Sequence, residues 1–213
     1  MKVWGESIFD ILYLITAITL GIIMIRKSDK KLGKMMGYAA LILGCGDAFH
    51  LVPRVLNYFV DYDWNLYLGV GKFVTSITMT FFYILMYYIY LNNYKVKEDK
   101  KVTMLVWGLA IVRIALCLFP QNNWFTNNSP LLWGVLRNIP FAILGALIVF
   151  LYFKVRSKDK ALRFVYLFVT FSFLFYIPVV LWSETIELLG MLMLPKTVCY
   201  VLVILAFKKK LKA

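Results

Sequence analysis

The composition of this 213-residue chain is that of an integral membrane protein: 62% of its residues are hydrophobic, only 16% are charged, and the mean hydropathy is +0.76. Soluble domains carry about 45–50% apolar and about 25% charged residues, so this composition excludes an ordinary soluble fold. The net charge of +13 would suit a nucleic-acid partner, but the distribution of the basic residues argues against one.

Seven apolar segments follow one another along the chain, each close to the roughly 20 residues that a helix needs to cross a bilayer. The predicted spans are residues 7–25, 35–59, 67–91, 102–119, 131–153, 161–182 and 186–207. The connection 120–130 carries no charge, and its Asn, Ser and Pro residues are typical of turns. We predict a single all-α domain over residues 1–213, with seven transmembrane helices and no soluble domain.

The basic residues indicate how these helices are oriented. Eighteen of the 24 Lys and Arg residues follow the first, third, fifth and seventh spans, whereas the opposite side has only Lys2. The positive-inside rule places such basic connections in the cytoplasm. We therefore expect a multi-pass protein of the cell membrane with its N-terminus outside and its C-terminus in the cytoplasm. The basic loops would face anionic membrane lipid, and no nucleic-acid partner is expected.

Neither the cysteines nor the N-terminus indicates special chemistry. Cys45, Cys117 and Cys199 fall within predicted helices without a CxxC neighbour, so we interpret them as buried free thiols. Because the chain has one histidine, we predict no metal and no cofactor. The early acids Glu6 and Asp10, and the lack of a small-residue cleavage pattern, favour a retained first helix over a signal peptide.

Three ionisable residues share one face of the second span. Asp47, His50 and Arg54 stand at i, i+3 and i+7, spacings that a helix presents on one side. A charged side chain at mid-bilayer costs about 2.5–3.5 kcal/mol on insertion scales, so such a group requires charged partners or water. Either requirement implies a polar interior.

The other charges within the spans are distributed on one side. Counted at about 1.5 Å per residue, they lie in the outer halves or near the midplane, and the cytoplasmic halves have none before their basic flanks. The set comprises Asp10, Asp47, Arg54, Lys72, Arg113, Arg137 and Lys196. We predict a polar pocket that opens to the outside and is closed below by apolar residues, with Glu6, Glu184 and Glu187 at its rim.

Further residues support such a pocket. Glu6, Asp10 and Tyr13 form a stripe at i, i+4 and i+7, and hydroxyl groups follow Lys72 at Thr75, Ser76, Thr78 and Thr80. A proline removes a helical hydrogen bond and kinks the helix, which frees carbonyls that a wet cavity can hydrate. We expect such kinks in the second, fifth, sixth and seventh helices, at Pro53, Pro140, Pro178 and Pro195.

An excess of cations over Asp10 and Asp47 leaves the pocket positively charged, and an anionic group would neutralise it. Arginine suits phosphate and carboxylate because its guanidinium donates paired hydrogen bonds. The first hypothesis is a protein that binds or transports an anionic small molecule or a lipid headgroup. Its predicted ligand-binding residues are Arg54, Lys72, Arg113, Arg137, Asn138, Lys196, Asp10 and Tyr13. Asp47 and His50 could carry a coupled proton.

The second hypothesis is an intramembrane enzyme, such as a hydrolase of lipids, phosphoesters or acyl groups. Asp47 and His50 would act as acid and base, and the arginines would stabilise the developing anion. A structural interpretation is also open. Arg54 and Lys72 could snorkel to the headgroups, Asp47 could be a counter-ion to an arginine, and His50 could be a hydrogen-bonded packing residue. The sequence leaves the oligomeric state open.

Overall fold

The computed structural model describes residues 2–183 and 185–212, with Lys2 and Glu187 described by their backbone alone. These residues are about 85% helical and contain no strand. The long helices are α1 Lys2–Lys27, α2 Lys31–Phe59, α3 Asn65–Tyr94, α4 Lys100–Leu118, α5 Leu131–Lys154, α6 Val165–Trp182 and α7 Met193–Lys212. Short 3₁₀ turns occupy Pro120–Asn122, Trp124–Thr126 and Glu187–Leu192.

All seven helices are long and apolar enough to cross a membrane, α7 together with most of the 3₁₀ turn before it. The predicted all-α fold, with seven helices long and apolar enough to span a membrane among the described residues, is therefore confirmed, and the orientation of the termini stays a prediction. Several helices extend into their basic flanks, for example through Arg26 and Lys27 in α1 and Lys209 and Lys210 in α7. Cations are favourable there because the helix dipole places partial negative charge at a C-terminus.

The helices pack in chain order around a ring that closes where α7 meets α1, and α3 also contacts α5 across the ring. α3 is the most buried helix, and its Phe82, Tyr83 and Met86 have no exposed surface. The Tyr83 hydroxyl lies 3.2 Å from the Tyr200 hydroxyl of α7. α3 is therefore the central helix against which the others are positioned.

Small residues bring α1 and α2 close together. A Cβ atom at Gly37 would lie 2.6 Å from Ile25 Cγ1, and one at Gly44 would lie 2.9 Å from Ala17 Cβ. Neither position admits a larger side chain unless its neighbours move. Close backbone approach through small residues is a common basis of helix pairing in membranes. Here it places the polar face of α1 directly against α2.

The α-helical part of the seventh span begins later than the sequence indicated. Glu187–Leu192 is a 3₁₀ turn, and α7 begins at Met193. Pro195 thus lies in the first turn of α7. An N–H at that position would have no helical partner, so the proline breaks no helical hydrogen bond. The kink expected in the middle of the helix is therefore absent from this described segment. Lys196 lies near the start of α7, not near its middle. The other three prolines at which kinks were expected, Pro53, Pro140 and Pro178, do lie inside α-helices.

Candidate functional site

One cavity of about 250 Å³ gathers polar side chains from α2 to α7. Its walls come from the C-terminal halves of α2, α4 and α6, the N-terminal halves of α3, α5 and α7, and the connection between α4 and α5. It therefore lies at one end of the bundle. Its volume is slightly below the roughly 300–1,000 Å³ of pockets that enclose whole small molecules. It suits a compact polar group.

Six of the ten candidate residues line this cavity, namely His50, Lys72, Arg113, Arg137, Asn138 and Lys196. The other four lie on the contact between α1 and α2, namely Asp10, Tyr13, Asp47 and Arg54. These four residues are not among those that line the cavity, and their roles in the site stay a prediction. Because α1 packs closely on α2, their side chains lie at the contact between the two helices, where Arg54 keeps 25% of its side chain exposed.

Arg113 is a buried cation in the cavity wall, with only 3% of its surface exposed. Its guanidinium carbon lies 3.3 Å from the centre of the Phe141 ring. Nε and Nη1 are buried and have no hydrogen-bond partner among the described residues. No described carboxylate lies within 4 Å of it. A buried guanidinium in this condition lacks the hydrogen bonds that normally offset the loss of water.

Arg137 is held by neutral groups. Its Nη1 donates to Asn122 Oδ1 at 2.6 Å and to Ser129 Oγ at 2.7 Å. Its guanidinium carbon lies 4.5 Å from the centre of the Trp124 ring. These contacts fix the side chain at the cavity wall without neutralising its charge.

The connection between α4 and α5 forms part of the wall and is held to the end of α4. Asn122 Nδ2 donates to the carbonyls of Leu116 and Phe119, and Trp124 Nε1 donates to that of Cys117 at 2.8 Å. These bonds satisfy carbonyls that the end of a helix leaves without partners. The backbone of Trp124 also packs so closely on Gly69 of α3 that a Cβ there would overlap it.

The contribution of this connection is not among the features that the sequence predicts. Its residues in this region are uncharged, namely Asn122, Trp124, Asn127 and Ser129, and the composition of residues 120–130 predicts only turns. Asn123 and Asn127 have φ values of 51° and 58°, a left-handed conformation that asparagine tolerates better than most residues. The density of Asn and Trp between two spans was the available signal that this loop folds back onto the bundle.

Lys196 of α7 also lines the cavity and is 9% exposed. Its Nζ is 4.5 Å from the centre of the Tyr176 ring of α6. The Tyr176 hydroxyl donates in turn to Asn138 Oδ1 of α5 at 2.9 Å. A chain of contacts thus joins α7, α6 and α5 around the cavity.

His50 and the hydroxyl residues of α3 complete the wall. His50 Nδ1 is buried without a hydrogen-bond partner among the described residues. Thr75 Oγ1 donates to the Gly46 carbonyl at 3.1 Å, and Ser76 Oγ donates to the Lys72 carbonyl at 2.8 Å. Because both hydroxyls use their hydrogen on backbone carbonyls, they offer a ligand acceptor capacity only.

Two acids at this end, Glu6 and Asp47, accept hydrogen bonds across the contact between α1 and α2, whereas Asp10 Oδ2 is buried without a hydrogen-bond partner among the described residues. Tyr13 donates to Asp47 Oδ2 at 2.6 Å, while Arg54 Nη2 and Tyr58 donate to Glu6 Oε2 at 3.2 Å and 2.9 Å. Glu6 is 5% exposed. We call this contact, formed by Glu6, Asp10, Tyr13, Asp47 and Arg54, the α1–α2 seam. Its carboxylates are absent from the described lining of the cavity.

Two relationships connect the seam and the cavity. Asp47 and Lys196 interact electrostatically, although no salt bridge within 4 Å joins them in the described part of the chain. No hydrogen bond links Asp47 to His50: Asp47 accepts from Tyr13, and His50 Nδ1 has no hydrogen-bond partner among the described residues. The geometry thus lacks the direct contact of an acid–base pair. Glu184 and the side chain of Glu187, predicted at the rim, lie outside the described residues.

Aromatic residues close the cavity on the side of the bundle interior. The Phe141 ring, which lines the cavity, lies 5.0 Å from the Tyr83 ring and 5.1 Å from the Phe173 ring. The Tyr200 ring packs edge-on against Phe82 at 5.7 Å. All of these rings except that of Phe173, which is half-buried, are buried, and they lie between the polar cavity and the opposite end of the bundle.

Comparison with known proteins finds no matching family model, no matching curated protein and no matching solved structure.

Proposed function

We propose that this protein binds an anionic group, a phosphate or carboxylate of a small molecule or lipid headgroup, in the cavity between α2 and α7. The observation that carries the proposal is the state of Arg113. It is buried in the cavity wall, has two nitrogen atoms without hydrogen-bond partners, and has no described carboxylate beside it. An oxyanion would supply both the charge and the acceptors that this side chain lacks.

The electrostatics of the wall support an anion over other ligands. Arg113, Arg137 and Lys196 line the cavity together, and none of its described lining residues is acidic. At an effective dielectric constant near 20, two opposite unit charges about 4 Å apart attract by about 4 kcal/mol. Such attraction from several cations can offset the desolvation of one anion.

We favour binding over enzymatic turnover because the two predicted catalytic residues lie in two different parts of the bundle. Asp47 belongs to the α1–α2 seam, where Tyr13 donates to it, and His50 belongs to the cavity. The cavity contributes hydrogen-bond donors and positive charge, which serve to hold an anion.

We further propose that the cavity faces the outside of the cell membrane. It lies at the end of the bundle opposite the connections and tail that hold eighteen of the 24 basic residues. The positive-inside rule assigns those connections to the cytoplasm.

The direct test is anion binding to the purified protein in detergent micelles, with inorganic phosphate, glycerol 3-phosphate and acetate as probes in calorimetry. We expect saturable binding of at least one probe, and an affinity loss of about tenfold or more in Arg113→Gln. The matched control is Arg163→Gln, the same change at an exposed arginine of the α5–α6 connection. Equal affinities of the two variants, or no saturable binding by the unaltered protein, would overturn the proposal.

A further inference from the structure

We infer that the ligand is an anionic membrane lipid, whose headgroup occupies the polar cavity while an acyl chain lies in the groove between α5 and α6. The inference rests on the proposed function and specifies its ligand. It starts from two apolar depressions on the lipid-facing side of these helices.

The two depressions adjoin the cavity one after the other, through shared lining residues. The first, of about 180 Å³, shares Asn138, Tyr176 and Val180 with the polar cavity. The second, of about 430 Å³, shares Ala142, Phe173 and Ile177 with the first. Together they form one apolar surface, the α5–α6 groove, that leads from the cations toward the opposite end of the bundle. An apolar path joined to a cationic cavity matches the two parts of an anionic lipid.

Small residues of α5 create this groove. Ala142 and Ala146 line it, and the intervening Gly145 packs so closely on Phe173 that a Cβ there would overlap the ring. From Ala142 to Phe153 the helix rises by roughly 16 Å, at about 1.5 Å per residue. That is about half of the roughly 30 Å hydrocarbon thickness of a bilayer, the depth that one acyl chain occupies.

One hydrogen bond and two prolines lie where the groove meets the cavity. The Tyr176 hydroxyl donates to Asn138 Oδ1 at 2.9 Å, and this bond lies where the two spaces meet. Each helix has a proline two residues after the bonded side chain, Pro140 in α5 and Pro178 in α6. Proline removes a helical hydrogen bond and localises bending. Both helices can therefore bend at the level of the junction.

The apolar walls of the groove favour a lipid over a soluble anion. The groove is bordered by Ile139 and Ile177, which are 50% and 42% exposed on the outside of the bundle and offer a soluble anion nothing to bind. Acyl chains already lie in hydrocarbon, so the groove adds little driving force of its own. It instead fixes the position of the chain, while Arg113, Arg137 and Lys196 hold the headgroup.

The first experiment compares a whole lipid with its headgroup. Binding of dioleoyl phosphatidic acid and of glycerol 3-phosphate is measured in detergent micelles for Ala146→Trp, which fills the groove from its exposed side. We expect the affinity for the lipid to fall about fivefold or more and that for glycerol 3-phosphate to change less than about twofold. Ala115→Trp, the same change at an exposed position of α4, should alter neither.

The outcomes separate the two proposals. Equal lipid affinities of Ala146→Trp and Ala115→Trp would overturn the inference and leave the anion site standing. Unchanged affinity of Arg113→Gln for both ligands would overturn the proposed function itself. Dioleoyl phosphatidylcholine, which lacks net charge, should bind about tenfold more weakly than phosphatidic acid, and equal binding would contradict the role of the cations.

A second measurement uses the unaltered protein and so does not depend on the folding of a variant. A phosphatidic acid with a photoreactive group in its acyl chain is irradiated with the protein in nanodiscs, and the labelled peptides are mapped. We expect the label to concentrate on residues 142–153 of α5 and 170–177 of α6. Labels spread evenly over all the helices would overturn the inference.

Discussion

The guanidinium carbon of Arg113 lies 3.3 Å from the centre of the Phe141 ring, a cation–π contact between α4 and α5. A cation–π contact contributes about 0.5–1 kcal/mol at exposed sites and about 2 kcal/mol or more when desolvated. Burying an ion costs several kcal/mol even after relaxation. The contact therefore offsets only part of the cost of placing this charge inside the bundle.

This deficit predicts that Arg113→Met stabilises the ligand-free protein. The change removes a buried charge without a described carboxylate and leaves an apolar side chain of similar length. Even the replacement of complete buried ion pairs by apolar residues is often neutral or stabilising, by about 1–4 kcal/mol. Arg137→Met is the matched control and should destabilise, because it removes the bonds to Asn122 and Ser129. Thermal unfolding in detergent measures both, and a lower Tm for Arg113→Met than for the unaltered protein would contradict the prediction.

Tyr13→Phe tests the division between seam and cavity. The change deletes the hydroxyl that donates to Asp47 at 2.6 Å, so we expect a loss of about 1–3 kcal/mol in the free energy of unfolding. Because Tyr13 does not line the cavity, affinity for phosphate or glycerol 3-phosphate should stay within about twofold. A large loss of affinity for these ligands, with an unchanged free energy of unfolding, would instead show that Tyr13 takes part in ligand binding.

Asp159 should make the stability of the protein depend on pH. It lies at the end of the bundle opposite the polar cavity. It lies in the α5–α6 connection, where Lys210 Nζ, Asn93 Nδ2 and the Ala161 N–H donate to it at 2.9, 3.1 and 2.9 Å. Burial tends to raise the pKa of this carboxyl, but the donors outweigh burial and hold its pKa below the ordinary value of 3.8.

The sign of the effect follows from this direction. A carboxyl whose pKa is lower in the folded state contributes stability above its unfolded pKa and loses it as the pH falls through the folded value. We therefore expect Tm to fall below about pH 4, and Asp159→Asn to have a flatter profile with a loss of about 1 kcal/mol near neutral pH. Parallel profiles for the two proteins would show that Asp159 has no such role.

The proposed orientation predicts which loops a reagent can reach from outside the cell. Asn128→Cys lies in the connection between α4 and α5, and Ser157→Cys lies in the connection between α5 and α6, both at exposed positions. A membrane-impermeant maleimide applied to intact cells should label the first and not the second, and permeabilised cells should label both. The unaltered protein provides the background, because its three cysteines lie within helices. Cys117 and Cys199 are buried as expected, whereas Cys45, expected to be buried, is exposed on α2. The reverse pattern would place the cavity in the cytoplasm.

The number and approximate limits of the spans could be predicted from the sequence, because crossing a bilayer requires a local run of apolar residues of a given length. The one-sided distribution of Arg113, Arg137 and Lys196 could be predicted in the same way, since it depends on counting residues from the helix ends. The start of α7 could not be predicted, because the 3₁₀ turn before it is as apolar as the α-helix that follows.

Tertiary structure alone decided which of the buried polar residues meet. Asp47 and His50 share one face of α2 in sequence, yet Asp47 is bonded to Tyr13 of α1 and His50 lines the cavity. α2 packs against both α1 and α3, and its rotation is set by close contacts at positions such as Gly37, Gly44 and Gly46. Hydropathy carries no information on that rotation. The sequence thus determined that charges are buried at one end of the bundle, and helix packing determined which of them have partners, because pairing depends on distances between helices that lie far apart along the chain.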